Sequence, residues 1–128
     1  LSLSTHCGID IEQKKDNSNF MAIAKRFFAA QEYDYLNTLP QHQALSVFLD
    51  FWTRKEACVK AWHTGLANHL ASITFNINTN NPINYPSVYQ NFPLNVYRYE
   101  HTDWHLACAI HTSNTTPPPL IIFDGICY

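Results

Sequence analysis

Residues 41–63 read QHQALSVFLDFWTRKEACVKAWH, and this stretch decides the fold. Leu45, Phe48, Leu49, Trp52 and Val59 recur at helical steps and form an apolar stripe, the strongest periodic signal in the chain. Pro40 punctuates the chain before the run, and Gly65 follows it where a helix ends on a residue of positive φ. The spacing therefore predicts a long helix over 41–63. Upstream, Phe20, Ile23, Ala24, Phe27 and Phe28 recur at three- and four-residue steps. They predict an amphipathic helix over about 20–31, capped by Ser18 or Asn19, with Lys25 and Arg26 on its wet side. A turn carrying Glu32, Tyr33 and Asp34 separates the two helices.

Around the helices the pattern changes to a period of two. In Gly8-Ile9-Asp10-Ile11-Glu12 the isoleucines fall on one face of a strand and the acids on the other. Ile73, Phe75 and Ile77 alternate with Thr74, Asn76 and Asn78, which predicts a second strand. The Asn- and Pro-rich residues 78–93 read as a loop, followed by strands over 94–99 and 104–111 with a turn through 101–103. Thr115 to Pro119 reads as a stiff extended connector, and the apolar run 120–123 as an edge strand or a docked tail. Strand, two helices, then antiparallel strands is an α+β order. We expect one domain over 1–128: a mainly antiparallel sheet with helices packed on one face and a peripheral tail over 112–128.

Composition supports a buried core, since 46% of the 128 residues are hydrophobic and 14% charged. A formal charge of -2 leaves no basic footprint for nucleic acid or an anionic membrane. No apolar run approaches the roughly 20 residues that span a bilayer. Cys7, Cys58, Cys108 and Cys127 are far apart and form no Cys-x-x-Cys pair, which argues against a zinc framework and for free thiols in a reducing cytoplasm. The chain opens on Leu1 rather than a methionine and reads as though cut from something longer.

The chemistry lies in the acids. Asp10 and Glu12 share one face of a strand, where two carboxylates repel unless a cation sits between them. Alone, such a pair is more often the wet face of an edge strand. Glu56 adds a third acid, and helical geometry puts Trp52, Glu56 and Lys60 on one line at four-residue steps. One reading is a surface Glu–Lys pair beside a core tryptophan; the other is a carboxylate that completes a metal shell and an ammonium that neutralises phosphate oxygens.

Gly8-Ile9-Asp10-Ile11-Glu12 and Phe51-Trp52-Thr53-Arg54-Lys55-Glu56-Ala57-Cys58-Val59-Lys60-Ala61 resemble the two signature motifs of the 4′-phosphopantetheinyl transferases. Ile23-Ala24-Lys25-Arg26-Phe27-Phe28, followed by Glu32-Tyr33, resembles the segment between them. The likeness runs from about residue 7 to 75, and more weakly into 104–111. The spacing of the acids, the Trp52-centred motif and Lys25-Arg26-Phe27-Phe28 resemble the two-lobed, Sfp-type branch, of which this chain would be the C-terminal half.

The resemblance implies that Asp10, Glu12 and Glu56 hold magnesium against the pyrophosphate of coenzyme A. It implies that Lys60 contacts the phosphates, that Lys55 lies beside them, and that Glu32 or Glu56 takes the proton of an acceptor serine. The implied partners are coenzyme A, an apo acyl or peptidyl carrier protein and a missing N-terminal lobe. A homotrimeric holo-acyl-carrier-protein synthase of this length, and a lobe that only docks a carrier protein or a partner half, remain alternatives. Ser4-Thr5-His6 abuts Gly8 and does not match the upstream Ser-His motif of the first lobe. The other histidines share no spacing; Trp62, Trp104, Tyr97 and Tyr99 read as packing or strand residues.

Overall fold

The structure is a computed structural model that describes residues 6–15, 19–63 and 70–111, and the backbone of 122–123 and 126–127. Strand β1 (His6–Gln13) leads through helices α1 (Phe20–Phe27), α2 (Ala30–Asn37) and α3 (Gln41–Ala61) to strands β2 (Asn95–Glu100) and β3 (Trp104–His111). The sheet order is β1-β3-β2, antiparallel throughout, with Gly8 opposite Ala109, Asp10 opposite Ala107 and Glu12 opposite His105. On the other side of β3, Val96 faces Ala109 and Arg98 faces Ala107. The α+β expectation holds.

Small residues bring α3 close to the sheet. Ala57, Ala61, Ala107 and Ala109 are fully buried, and Phe48, Phe51, Val59 and Val96 belong to the same buried core. Gly8 shows how close the approach is. A Cβ there would stand 2.1 Å from the Ala57 carbonyl oxygen and 2.5 Å from the Ala61 nitrogen. Only glycine lets β1 lie against the last two turns of α3.

The helix expected over 20–31 is two helices, and the expected turn at Glu32 belongs to the second. Phe28 (φ -95°, ψ 160°) and Ala29 (φ -63°, ψ 151°) are extended, so the chain leaves α1 and starts again. The break is stabilised on both sides. The Phe28 ring stacks on Phe48 at 5.2 Å and on Trp52 at 6.4 Å, while Glu32 Oε1 accepts the free Ala29 N–H at 2.9 Å.

The strand expected over 73–77 does not form. Its only ladder contact among the described residues is the bridge Thr74–Asn84, after a short 3₁₀ turn at Leu70–Ser72. Side chains take the backbone groups instead. Glu32 accepts the Phe75 N–H, Lys55 donates to the carbonyls of Leu70 and Ile73, and Arg54 donates to those of Asn76 and Thr79. Residues 122–123 and 126–127 pair with each other in a separate two-stranded ladder, not at the edge of the main sheet. Helix α3 stops two residues earlier than expected, and the positive φ falls on His63 (φ 55°). Gly65, Ser4-Thr5 and the 115–119 connector lie outside the described residues.

Candidate active site

The alternation in β1 is as expected, but the acids face the helix. Ile9 and Ile11 are 46% and 44% exposed, whereas Asp10 is buried on the face that meets α3. Strand and helix run in opposite senses here. Lys60, near the end of α3, donates to Asp10 Oδ1 at 2.9 Å and to the Ile9 carbonyl at 3.1 Å. Two turns earlier, the Trp52 side chain lies near enough to Glu12 to favour its charged form. Glu56 stands between them on the same line of the helix. The structure thus brings Asp10, Glu12, Glu56 and Lys60 together.

These four groups carry more negative than positive charge, and their protonation reflects it. The Glu56 carboxyl is pushed up to about 7, first by burial and then by Asp10 and Glu12, with Lys60 opposing. Burial also raises Asp10 against the pull of Lys60. Burial and the Asp10 charge raise Glu12. One carboxylate oxygen is left over: Asp10 Oδ2 is buried and accepts no hydrogen bond. Crowded, desolvated carboxylates with a spare hard oxygen fit a divalent cation such as magnesium. They do not form a closed cage. Among the described residues no three acidic, imidazole or thiol side chains are arranged to enclose an ion, and an ammonium lies on Asp10. A cation here must complete its shell with oxygens from a ligand or water, which is how magnesium is usually held at phosphate sites.

Glu32 and Lys55, assigned by resemblance to proton transfer and phosphate contact, sit elsewhere. Both side chains are fully buried. Lys55 Nζ lies 2.8 Å from Glu32 Oε1 and also donates to Leu70 O at 2.6 Å and to Ile73 O. Glu32 has both oxygens engaged, by Ala29 N–H and Lys55 on one and Phe75 N–H on the other. Neither side chain has a polar atom free for a substrate, and neither figures among the charges acting on Asp10, Glu12 or Glu56. In this geometry the pair anchors α2 and residues 70–75 to the rear of α3.

Three features escaped the sequence reading. Trp52 reads as a core residue, and its spacing four residues before Glu56 is the only hint that it lies near Glu12. The Arg54–Asp50–Arg98 network shows only its Asp50–Arg54 half as a four-residue step on α3; Arg98, with Nη1 3.1 Å from Asp50 Oδ2, comes from β2 and leaves no local signature. At the far end of α3, His105 Nε2 lies 3.2 Å from Ser46 Oγ and 3.4 Å from Glu100 Oε2. Both contacts use one ring nitrogen, so the trio ties α3 to the sheet and does not form a nucleophile relay.

Over 60 residues the chain is 43% identical to the 4′-phosphopantetheinyl transferase HetI of Nostoc sp., covering 47% of this chain and 25% of that protein. It is 29% identical over 106 residues to the 4′-phosphopantetheinyl transferase Sfp of Bacillus subtilis, covering 81% of this chain and 46% of that one. The chain thus spans between a quarter and a half of the length of these curated relatives. In fold it is similar to a holo-(acyl-carrier-protein) synthase from Bacillus anthracis, solved in complex with CoA (3′,5′-ADP). The TM-score is 0.68 at 18% identity, over 85% of this chain and 96% of that one. The synthase of Thermotoga maritima gives 0.66 at 19% identity, over 85% and 64%. Residues 6–109, which hold β1, α3 and nearly all of β3, match the family model for the 4′-phosphopantetheinyl transferase superfamily, and the chain belongs to that superfamily.

Proposed function

We propose that this protein transfers the 4′-phosphopantetheine arm of coenzyme A to a serine of an apo acyl or peptidyl carrier protein, in a magnesium-dependent reaction. The observation that carries this reading is the under-satisfied acid cluster between β1 and α3: three desolvated carboxylates, one with an unpaired buried oxygen, beside a single half-exposed lysine. Asp10, Glu12 and Glu56 are the residues that would hold magnesium. When bound, that ion supplies positive charge against the diphosphate of the coenzyme.

The rest of the step falls to side chains. The serine oxygen attacks the phosphorus next to the pantetheine arm, a bond forms there, and the bond from that phosphorus to the departing 3′,5′-ADP breaks. Lys60, whose side chain is 51% exposed, faces the charge that grows on the leaving group. The serine proton goes to Glu56, the helix acid that stands at the Asp10–Glu12 pair. Glu56 takes this role in preference to Glu32, both of whose oxygens are occupied. The curated relatives extend well beyond the matched segment, and we place the remainder of the coenzyme cleft in a further lobe, against the exposed Ile9 and Ile11. The reading also places the protein in the cytoplasm, where the buried thiols of Cys58 and Cys108 stay reduced.

The test is mass spectrometry of an apo carrier protein incubated with coenzyme A, magnesium and the protein. A mass gain equal to the phosphopantetheine arm is expected, and Glu56→Ala should lower its rate about a hundredfold, the usual scale for losing one key electrostatic group. Undiminished transfer by Asp10→Ala would overturn the assignment of the metal ligands.

A further inference from the structure

Lys60 is the cation that the chain itself brings to the acid cluster, and two hydrogen bonds hold it there. Its Nζ donates to Asp10 Oδ1 at 2.9 Å and to the Ile9 carbonyl at 3.1 Å. The ammonium pulls on all three acids and opposes the burial that raises each of them. The contact is lopsided. Asp10 gives one oxygen to Lys60, while its other oxygen is buried and has no partner. The two side chains are also unequally held, at 10% exposed for Asp10 and 51% for Lys60. Asp10 is fixed between β1 and α3, whereas the Lys60 ammonium ends a flexible four-carbon stem at the surface. Lys55, on the rear of the same helix, shows the contrast. It is fully buried, and Glu32 and the carbonyls of Leu70 and Ile73 close around it. Of the two lysines on α3, only Lys60 can leave its seat without stranding a charge inside the protein.

A divalent cation drawn to these acids meets that ammonium. Like charges gathered at one carboxylate repel, most strongly where water is partly excluded. We propose that Lys60 is a built-in counter-ion that magnesium displaces: the ammonium swings off Asp10 and the Ile9 carbonyl as the metal enters, and the released side chain is then free for the phosphate charge it faces in transfer. The proposal rests on the reading of Asp10, Glu12 and Glu56 as the site's acids, and it deepens that reading. The free protein is a weaker magnesium site than its three acids alone would make, because each ion that binds must first expel a cation.

The test is calorimetric titration of the full chain with magnesium alone, without coenzyme A. Lys60→Met keeps most of the stem and removes the ammonium. It should bind magnesium about tenfold more tightly than the parent, a usual size for the coupling between two bound charges. Equal affinities, or no binding by either protein, would overturn the proposal. A second measurement needs no variant. NMR relaxation of the Lys60 ε-methylene carbon should report a held group without magnesium and a mobile one when magnesium is saturating, while that of the exposed Lys25 stays mobile throughout. An ε-methylene still held with magnesium bound would show that Lys60 acts from where it stands, and displacement would be refuted whatever the affinity of the variant. The transferase reading is judged separately, by the mass gain of a carrier protein. A magnesium-dependent gain in the parent, with Lys60→Met binding the ion no better, removes the displacement and leaves that reading. Tighter binding by the variant and a released ε-methylene, with no gain in the parent, keep the displacement and remove the reading.

Discussion

The front and the rear of α3 carry charges within a few residues of each other and treat them in opposite ways. On the rear, Arg54 and Lys55 are both buried, and of their side-chain nitrogens only Arg54 Nε lacks a partner. Lys55 meets Glu32 and two carbonyls, and Arg54 meets Asp50 and the carbonyls of 76–80. On the front, Glu56 and Lys60 face Asp10 and Glu12, where one carboxylate oxygen has no partner and the Glu56 carboxyl is pushed up to about 7. Charges whose bonding capacity is filled by the chain hold the chain together. Charges left short by the chain are available to a ligand. The motif residues Lys55 and Glu56 are neighbours in sequence, but the helix turns one inward and the other towards β1.

Breaking the rear should cost the most stability. Lys55→Met leaves the Glu32 carboxylate buried without its counter-charge and should destabilise the protein by about 3–5 kcal/mol in urea unfolding. Adding Glu32→Gln should recover a large part of that loss. A double variant no more stable than the single one would show that the pair is not coupled. Glu56→Ala, which should abolish most transfer, should leave the unfolding midpoint unchanged or raised, because it removes a desolvated acid from a crowded set.

The seam between front and sheet is tested at Gly8. Gly8→Ala drives a methyl group into the Ala57 carbonyl and the Ala61 nitrogen, both backbone atoms that cannot turn aside. β1 must move, with an expected cost of about 1–3 kcal/mol in the same unfolding measurement. A parent-like midpoint would mean that the strand and helix sit farther apart than described.

The smallest effect is the front's own signature in pH. Glu56 has its carboxyl raised from 4.5 to about 7 in the folded protein, so the unfolded chain loses its proton first. Below about pH 4.5 both states are protonated and the contribution to stability is complete. Between 4.5 and 7 the folded state alone keeps the proton, and stability declines as pH rises. Thermal unfolding of parent and Glu56→Gln across this window should show the decline in the parent and a flatter curve in the variant. Parallel curves would remove the desolvation of Glu56 from the account.

Much of this was legible in the residue order. The α3 stripe, the β1 alternation and the strands ending in Glu100 and His111 follow from periodicity, which reports burial face by face. The acids of the site were legible for the same reason, since a two-residue step on a strand and a four-residue step on a helix each fix a common side. The break at Phe28–Ala29 was not legible. Phe20 to Phe28 keeps helical spacing up to the break, and what ends the helix is an aromatic stack with residues twenty and more positions away, together with a cap from Glu32. Residues 73–77 fail as a strand for a related reason: their alternation is real, but Glu32, Lys55, Arg54 and Arg98 take the backbone groups that a neighbouring strand would need.

By itself, then, the sequence determined the long helix, the strands of the main sheet and which acids share a face, because these follow from local periods of the backbone. Only the tertiary structure decided that the acids of β1 face inward rather than to water, and that Glu32 and Lys55 satisfy each other. Those outcomes depend on which surfaces meet across the sheet and on how many partners each charge finds there, and contacts between residues distant in sequence leave no local period to read.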